Sequence, residues 1–311
     1  MKVNKNSYIL AGVIYAILVV FSLISSAYAE LIYSILFLMV LAQSLNIVFG
    51  FAGLVNLGHA AFVGMGAYTF AILSSQGFNP YIAIFLGGFS SCVLAFVIGF
   101  IVFRVKELFF PIATAILATA IPYFIIGTGV AGGYYGITLY LHVGSVYNPY
   151  ILLFILFVLS IITTLITFRM TVSPFGYALK ALREDYDAAE TAGVNAFRCR
   201  LIAFVLCAFF PGVGGGLMAF KTFWVTPSGA FNMMYSGESI LVTLLGGPGS
   251  VFGPIIGSLV YEILKDVLMR YAPGFQMLIF SLLVIVMVLF APEGVVGYIK
   301  DRSKRVSKIL R

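Results

Sequence analysis

Long runs of apolar, uncharged residues constrain this chain more than any other feature of its sequence. Residues 8–29, 148–168 and 274–292 contain no Asp, Glu, Lys or Arg, and a helix needs about 20 such residues to cross a bilayer. Charged residues form only 9% of the chain, against roughly a quarter in soluble globular domains. The sequence therefore predicts an all-α polytopic membrane protein. It excludes a disordered chain, a secreted disulfide scaffold and a nucleic-acid-binding protein.

Apolar runs bounded by charge, proline or glycine predict the individual helices. We expect about eight to ten spans in a single transmembrane domain of residues 1–311. A shorter run, residues 238–245, would be a half-helix or the end of a tilted helix. Residues 27–29 imitate a signal-peptide cleavage site, but the preceding apolar stretch is about twice the usual length, so we expect the first helix to be retained. The full-length predicted helices cover residues 8–29, 31–50, 59–75, 80–103, 108–130, 148–168, 198–222, 251–268 and 274–297.

Basic residues are distributed unevenly between the two sides of the predicted helices. The sequence has 18 Lys and Arg against 11 Asp and Glu, a net charge of +7. Counting crossings along the predicted helices puts all but three of the basic residues on one side, and the three exceptions are Lys221, Lys265 and Arg270. Because cytoplasmic loops carry the excess of Lys and Arg, we expect both termini to be cytoplasmic, including a basic tail at residues 299–311.

Two glycine-rich segments interrupt the apolar pattern. We call them the first glycine break, residues 49–59, and the second glycine break, residues 245–254. Irregular backbone inside a bilayer must be buried in protein or line an aqueous cavity, because lipid cannot satisfy its amides. Paired broken segments are typical of transporters, in which they surround the transport path. The two breaks therefore favour a transport function.

Five residues in and beside the first glycine break are candidates for the translocation path. Polar side chains inside a membrane span are costly, so they usually face a cavity or a polar partner. Two interpretations stay open: the side chains hydrogen-bond the broken backbone, or they line the path of a solute. The candidates are Asn46, Gly53, Asn56, Gly58 and His59.

Gly249, Gly253 and Gly257 repeat at intervals of four residues. This spacing lets two helix backbones approach closely in lipid. The glycines therefore predict a tight helix contact, either within this chain or between two subunits.

Acidic residues near the second glycine break are expected to have structural roles. Glu238, with Ser236, would cap the short helical run and complement its dipole. Glu262 would pair with Lys265 one helical turn later.

The longest polar stretch of the chain, residues 173–197, predicts a cytoplasmic helix. Ser173 is a suitable helix cap with Pro174 in the first turn, and Gly193 suits the end of the helix. The polar face of this helix mixes both signs of charge, whereas a helix lying on lipid would be mainly basic. Docking into a groove of another protein is therefore favoured over packing on lipid. The residues expected to make the contact are Arg183, Glu184, Asp187, Ala188, Ala189 and Gly193.

The chain has no phosphate-binding loop of the form GxxxxGK[ST]. Its nearest candidate ends in Lys221-Thr222 but has Phe220 in place of the second glycine. If transport is driven by ATP, the ATPase must be a separate subunit. Cys92, Cys199 and Cys207 form no CxxC motif, and we expect neither a disulfide nor a metal site.

Four segments of the sequence resemble the permeases of branched-chain amino acid ABC transporters, the LivM/LivH family. They stand in family order and cover most of the chain from residue 45 to residue 294. The form of the second segment is more similar to LivM than to LivH, and the residues from Asp187 to Gly193 approximate the E-A-A-x-x-x-G motif of ABC importers, with Asp in place of Glu. The quoted cores of the four segments are GLVNLGHAAF (53–62), ALRED (181–185), LGGPGS (245–250) and FAPEG (290–294).

The resemblance implies one subunit of an ABC importer in a bacterial or archaeal plasma membrane. Its partners would be a LivH-like second permease, two cytoplasmic ATP-binding subunits and an extracytoplasmic protein that delivers leucine, isoleucine or valine. This chain would bind no cofactor itself and would have no catalytic residues. Related permeases that serve urea or short amides remain an alternative.

Two rival classes are weakened by the sequence. An ion-coupled secondary transporter needs charged residues within its spans, and these are nearly absent from the predicted helices. A membrane enzyme needs a cluster of His, Cys, Asp or Glu, and the two histidines of the chain are far apart in sequence.

Overall fold

The first five helices match the predicted spans in number and order, but the predicted boundary between the first two is wrong, because α1 ends at Ser22 and α2 begins at Ser26. In α2 the helical path continues directly into a π-helical turn, Ile47–Phe51, which the sequence does not predict. Turns of this kind are rare and occur frequently at functional sites. The helices are α1 (Lys5–Ser22), α2 (Ser26–Asn46), α3 (His59–Ser75), α4 (Pro80–Val102) and α5 (Phe110–Thr128). This computed structural model describes residues 5–104, 109–271, 274–275, 278–279, 282 and 294.

The middle of the chain holds two long helices joined by the predicted cytoplasmic segment. That segment forms two helices, so the prediction of one continuous helix from Ser173 to Gly193 is wrong. The backbone is extended at Asp185, whose Oδ1 accepts from the backbone N–H of Ala188 at 2.9 Å and so caps a new helix. The elements are α6 (Tyr140–Val143), α7 (Pro149–Val172), α8 (Pro174–Glu184), α9 (Tyr186–Thr191) and α10 (Ala196–Thr222).

After α10 the chain forms a helical hairpin. Two short strands, β1 (Ile137–Thr138) and β2 (Trp224–Val225), first pair antiparallel beside the end of α10. The helices that follow are α11 (Pro227–Ala230), α12 (Met234–Gly246) and α13 (Phe252–Tyr271). With 13 residues, α12 is shorter than the other helices that match predicted spans, as expected for the short run.

The expected cap of α12 is wrong because the helix begins at Met234, before both predicted capping residues. Glu238 therefore lies inside α12, where its Oε1 accepts from Tyr261 Oη at 3.0 Å and from Lys265 Nζ at 2.7 Å. The predicted pair of Glu262 with Lys265 is confirmed at 3.7 Å. The two bonds of Glu238 join α12 to α13, whereas the pair of Glu262 with Lys265 lies within α13.

The structure confirms an all-α polytopic fold. Five helical segments among the described residues are long and apolar enough to cross a membrane: Ser26–Phe51, Pro80–Val102, Phe110–Thr128, Pro149–Val172 and Ala196–Thr222. The last predicted span, 274–297, lies almost wholly outside the described residues, and so does the basic tail at 299–311. The cytoplasmic location of both termini stays a prediction.

Glycine contacts hold α3, α4 and α10 together at the centre. A Cβ on Gly66 of α3 would overlap the carbonyl oxygen of Gly212 in α10, and one on Gly215 would overlap that of Val63. A Cβ on Gly87 of α4 would lie 2.8 Å from the carbonyl oxygen of Gly66. Backbones in such close contact gain dispersion energy in lipid, where the hydrophobic effect contributes little to helix association.

Replacing Gly66 by alanine should therefore destabilise the protein. The added methyl group forces α3 away from α10 and should cost about 2 kcal/mol, as overpacking of a core does. Gly12 of α1 is the matched control, because a Cβ there meets nothing within 4 Å. Thermal unfolding midpoints of purified G66A and G12A in detergent test the packing. Equal midpoints in the two variants would contradict it.

Candidate functional site

The side chain of Asn46, at the end of α2, joins the two glycine breaks. Its Nδ2 donates to the carbonyl oxygen of Ser250 at 2.8 Å, and its Oδ1 accepts from the backbone N–H of Gly249 at 2.8 Å. Asn46 is fully buried. One amide therefore holds together segments that are 204 residues apart in the chain.

Gly50 lies one turn beyond Asn46, within the π-helical turn. A side chain at Gly50 would overlap both the Asn46 amide and the backbone nitrogen of Gly249. The second glycine break thus crosses the end of α2 in direct backbone contact, and a glycine is needed at the crossing.

Arg183, near the end of α8, reaches into this crossing. Its Nη1 donates to the carbonyl oxygen of Gly50 at 2.5 Å. Carbonyl groups in the last turn of a helix lack partners within the helix and carry the negative end of its dipole, so a cation is favourable there. The sequence predicts Arg183 in a contact with another subunit, but its guanidinium contacts the first glycine break of its own chain.

Two glycines make room for Arg183 by adopting the left-handed conformation. Gly53 has φ +74°, and a Cβ there would lie 2.7 Å from Cγ of Arg183. Gly249 has φ +79°, and its Cβ would lie 3.3 Å from Nη1 of Arg183 and 2.9 Å from the carbonyl oxygen of Gly50. Other residues rarely adopt this backbone conformation. The position of the guanidinium therefore depends on glycine in both breaks.

Beyond Gly53, the first glycine break leads back into the protein interior and ends at α3. His59, the first residue of α3, is fully buried. Its Nε2 lies 3.3 Å from Ser44 Oγ, and its Nδ1 lies 3.8 Å from Cys207 Sγ in the middle of α10. In this single chain His59 is therefore packed among neighbours and does not line an open channel.

Asn56 is fully buried and half satisfied. Its Oδ1 accepts from the backbone N–H of Gly58 at 3.0 Å, whereas its Nδ2 has no hydrogen-bond partner among the described residues. A Cβ on Gly58 would lie 2.6 Å from the carbonyl oxygen of Thr114, so α5 packs directly on the start of α3. The amide oxygen of Asn56 thus satisfies one backbone N–H of the break, while its amide nitrogen has no partner among the described residues.

Two further side chains tie the breaks to neighbouring helices. Ser236 Oγ accepts from the backbone N–H of Ala60 at 2.8 Å, which satisfies one of the free donors at the start of α3. Gln43 accepts from Thr167 of α7 at 3.0 Å and donates to the carbonyl oxygen of Val251 at 2.8 Å. Sequence reasoning misses this role of Ser236, since its contact lies on a distant helix and leaves no local signal.

The inner side of α8 and α9 is anchored to the membrane domain. Ala189 is buried together with Leu182 and Ala196, the first residue of α10. The guanidinium carbon of Arg200 in α10 lies 4.6 Å from the ring centre of Tyr186 in α9. The helix pair therefore contacts the membrane domain through α10 as well as through Arg183.

The outer side of the same helices is acidic. Glu184, Asp187 and Ala188 are exposed, and so are Asp185 and Glu190. Of the predicted contact residues, these three, Arg183 and the terminating glycine of α9 are thus accessible, while Ala189 is buried. That glycine, Gly193, has φ +92° with open space around it.

Gly249, Gly253 and Gly257, near the second break, have two different roles. Gly253 and Gly257 lie in α13, where a Cβ on Gly257 would overlap the carbonyl oxygen of Val242 in α12 and one on Gly253 would overlap that of Gly247. Gly249 precedes α13 and contacts the crossing at α2 instead. The tight contact of Gly257 is therefore internal to the chain.

The arrangement is suited to holding and moving helices rather than to chemistry on a substrate. Its polar groups are neutral amides, one imidazole, hydroxyl groups and one guanidinium. Within the described ranges, no group of three or more His, Cys, Asp or Glu could hold a metal ion.

Replacing Asn46 by leucine should destabilise the protein by about 2 kcal/mol, because the partly buried N–H of Gly249 and C=O of Ser250 lose their partner. Asn232 is the control. It is exposed and accepts one hydrogen bond, from the backbone N–H of Met234 at 2.9 Å, so N232L should cost at most about 1 kcal/mol. The free energies of unfolding of N46L and N232L in detergent test this difference. A loss for N46L no larger than that for N232L would show that the crossing does not depend on the amide.

Comparisons with known proteins agree with this architecture. The LivM permease of the high-affinity branched-chain amino acid transport system of Salmonella typhimurium is 28% identical over 294 residues, which cover 85% of this chain and 69% of the relative. The Escherichia coli LivM permease matches with the same identity and the same coverage. A probable LivM permease of Methanocaldococcus jannaschii is 24% identical over 310 residues, covering 83% of this chain and 89% of the relative.

No solved structure matches the chain significantly. The family model described as the permease component of the branched-chain amino acid transport system matches residues 27–291. Since this match includes both glycine breaks and the helix pair α8–α9, the chain belongs to the family of branched-chain amino acid transport permeases and is a multi-pass membrane protein.

Proposed function

We propose that this chain is a transmembrane subunit of an ATP-driven importer that carries leucine, isoleucine and valine across a bacterial or archaeal plasma membrane. The family match over residues 27–291 carries the proposal. The substrate class follows from the names of the relatives, which are branched-chain amino acid permeases from two bacteria and an archaeon.

The proposed importer needs subunits that supply energy and capture the solute. The sequence has no phosphate-binding loop, so two separate cytoplasmic subunits would hydrolyse ATP. A LivH-like permease would complete the pathway, and LivH relatives of Methanocaldococcus jannaschii and Escherichia coli match parts of this chain. An extracytoplasmic binding protein would select and deliver the amino acid.

The exposed face of α8 and α9 is the proposed docking surface for the ATPase. Glu184, Asp187 and Ala188 are accessible there, with two further acids beside them. The small side chain of Ala188 permits close approach, while the carboxylates give orientation and a fast encounter with a basic groove. The contacts of buried Ala189 and partly buried Tyr186 fix the helix pair to α10 on the opposite side.

Movement of this docking surface would reach the centre of the protein through α10. The start of α10 contacts α9, and Gly212 and Gly215 farther along contact the backbone of α3. Because packed backbones cannot slide past each other without losing contact, a displacement of α10 would carry α3 with it. The first residue of α3 is His59, so the proposed path would change shape at this buried polar residue.

The proposed path runs along the first glycine break, past Asn46, Gly53, Asn56, Gly58 and His59. Asn46, Asn56 and His59 are fully buried in this single chain. A path would open only when the breaks separate from their neighbours or face a second permease. Asn56 Nδ2, which has no hydrogen-bond partner among the described residues, could then donate to the carboxylate of an amino acid without giving up another bond.

Reconstitution in vesicles tests the proposed function directly. With a LivH-like partner, two ATPases and the binding protein, we expect ATP-dependent uptake of labelled leucine. Unlabelled isoleucine and valine should compete with it, and urea and acetamide should not. Uptake at the same rate without the ATPase subunits, or uptake of urea alone, would contradict the proposal.

Charge reversal on the docking surface should weaken the ATPase contact. E184K and D187K each place a cation where the partner groove expects an anion, and we expect uptake and co-purification of the ATPase to fall about tenfold or more. D266K is the control, since Asp266 is a partly exposed acid on α13 that pairs with Arg270 one turn away at 3.0 Å. Unchanged uptake in E184K and D187K would exclude this docking surface.

A further inference from the structure

Arg183 lies on the helix pair α8–α9 and is exposed, but its guanidinium is bonded to the membrane domain. Nη1 donates to the carbonyl oxygen of Gly50 in the first glycine break. A Cβ added to Gly249 in the second glycine break would lie 3.3 Å from the same nitrogen. The guanidinium on α8 is therefore bonded to the first break and lies next to the second.

We propose that Arg183 is a mechanical clamp that transmits movement of α8 to both glycine breaks at once. This inference rests on the proposed function, in which an ATPase moves α8 and α9. It assigns to Arg183 a positioning role within this chain, and leaves contact with the ATPase to the exposed acids of the same helices.

The clamp is strong because its parts support each other. A hydrogen bond from a charged donor is roughly twice as strong as a neutral one, and the dipole at the end of α2 adds to it. Lys180, one turn earlier on α8, places its Nζ 5.2 Å from the ring centre of Phe51 in the same turn. Two cations of α8 thus hold the end of α2.

The two breaks are also bound to each other, so the clamp moves them as one body. Asn46 bridges the breaks with two hydrogen bonds of 2.8 Å. Gly50 and Gly249 lie in backbone contact beside it. A displacement of Gly50 therefore also displaces Gly249, and the segment from Gly53 to His59 moves with them.

Coupling requires that some contact differ between the resting and the ATP-bound state, because a contact equal in both shifts no equilibrium. The bond of Arg183 to the breaks is the contact that stays the same in both states. The contact of the exposed acids with the ATPase is the one that differs. Arg183, Glu184 and Asp187 are all exposed. The guanidinium of Arg183 bonds the first glycine break, and we assign the contact with the ATPase to the two carboxylates.

The test compares hydrogen–deuterium exchange of the complete transporter complex in nanodiscs, without nucleotide and trapped with ATP and vanadate. In the wild type we expect trapping to change exchange in α8 and in residues 49–54 and 245–252 together. In R183M, α8 should still respond, while the response of the two breaks should fall about tenfold, the factor carried by one charge-assisted hydrogen bond.

Two further variants keep the result interpretable. R183K retains a cation and a donor, so it should restore part of the response, although it lacks the planar fork of arginine. R169M removes an exposed cation at the end of α7 and should leave the response of the breaks unchanged.

Three outcomes would overturn the clamp: a full response of both breaks in R183M, no response of the breaks in the wild type, or loss of the ATPase subunits from R183M. The last would mean that Arg183 faces the ATPase. Because the exchange measurement needs no transported solute, it stays valid if the wild-type complex fails to take up leucine. That failure would overturn the proposed function instead.

Discussion

Backbone groups at the broken helices must find partners within the protein, because the surrounding lipid offers none. In this chain the partners are side chains from distant segments. Asn46 serves the second break, Ser236 serves the start of α3, and Arg183 serves the end of α2. Each of these reaches its target because glycine leaves the space open. The glycines therefore have two linked functions: they break the helices, and they let other segments approach closely enough to satisfy the break.

This mutual satisfaction makes the two breaks a single mechanical unit. Neither break can move alone without leaving a buried N–H or C=O unpaired, which costs about 1–3 kcal/mol for each group. Movement of both together with Arg183 keeps the hydrogen bonds intact. In the proposed importer the motion with the lowest cost in free energy is thus a joint displacement of α8 and the crossing. An arrangement of this kind converts a shift at the cytoplasmic surface into a shift at the start of α3.

Much of the fold can be predicted from the sequence, since hydrophobic runs and their length are local properties. The helices α3, α4, α5, α7, α10 and α13 lie where the runs place them, whereas the boundary between α1 and α2 falls several residues earlier than predicted. Asp185 shows where local reasoning fails: the residues around it continue the helical pattern, and its capping bond to Ala188 decides against one continuous helix. The position of Arg183 is beyond any such pattern. A charged residue on an amphipathic helix is expected to be exposed, and Arg183 is exposed. Only the tertiary structure shows that its guanidinium also bonds the carbonyl oxygen of Gly50.

The same contacts explain why the side chains of the predicted path are hidden. For Asn46 to bind a passing amino acid, it must release Gly249 and Ser250, and each hydrogen bond it gives up is worth about 1 kcal/mol. A solute that offers one carboxylate and one ammonium group can replace such bonds but gains little by doing so. Tight binding inside the permease is therefore disfavoured, and the energy that opens the crossing has to come from elsewhere. In the proposed importer that source is the ATPase, and selection of the amino acid falls to the protein that delivers it.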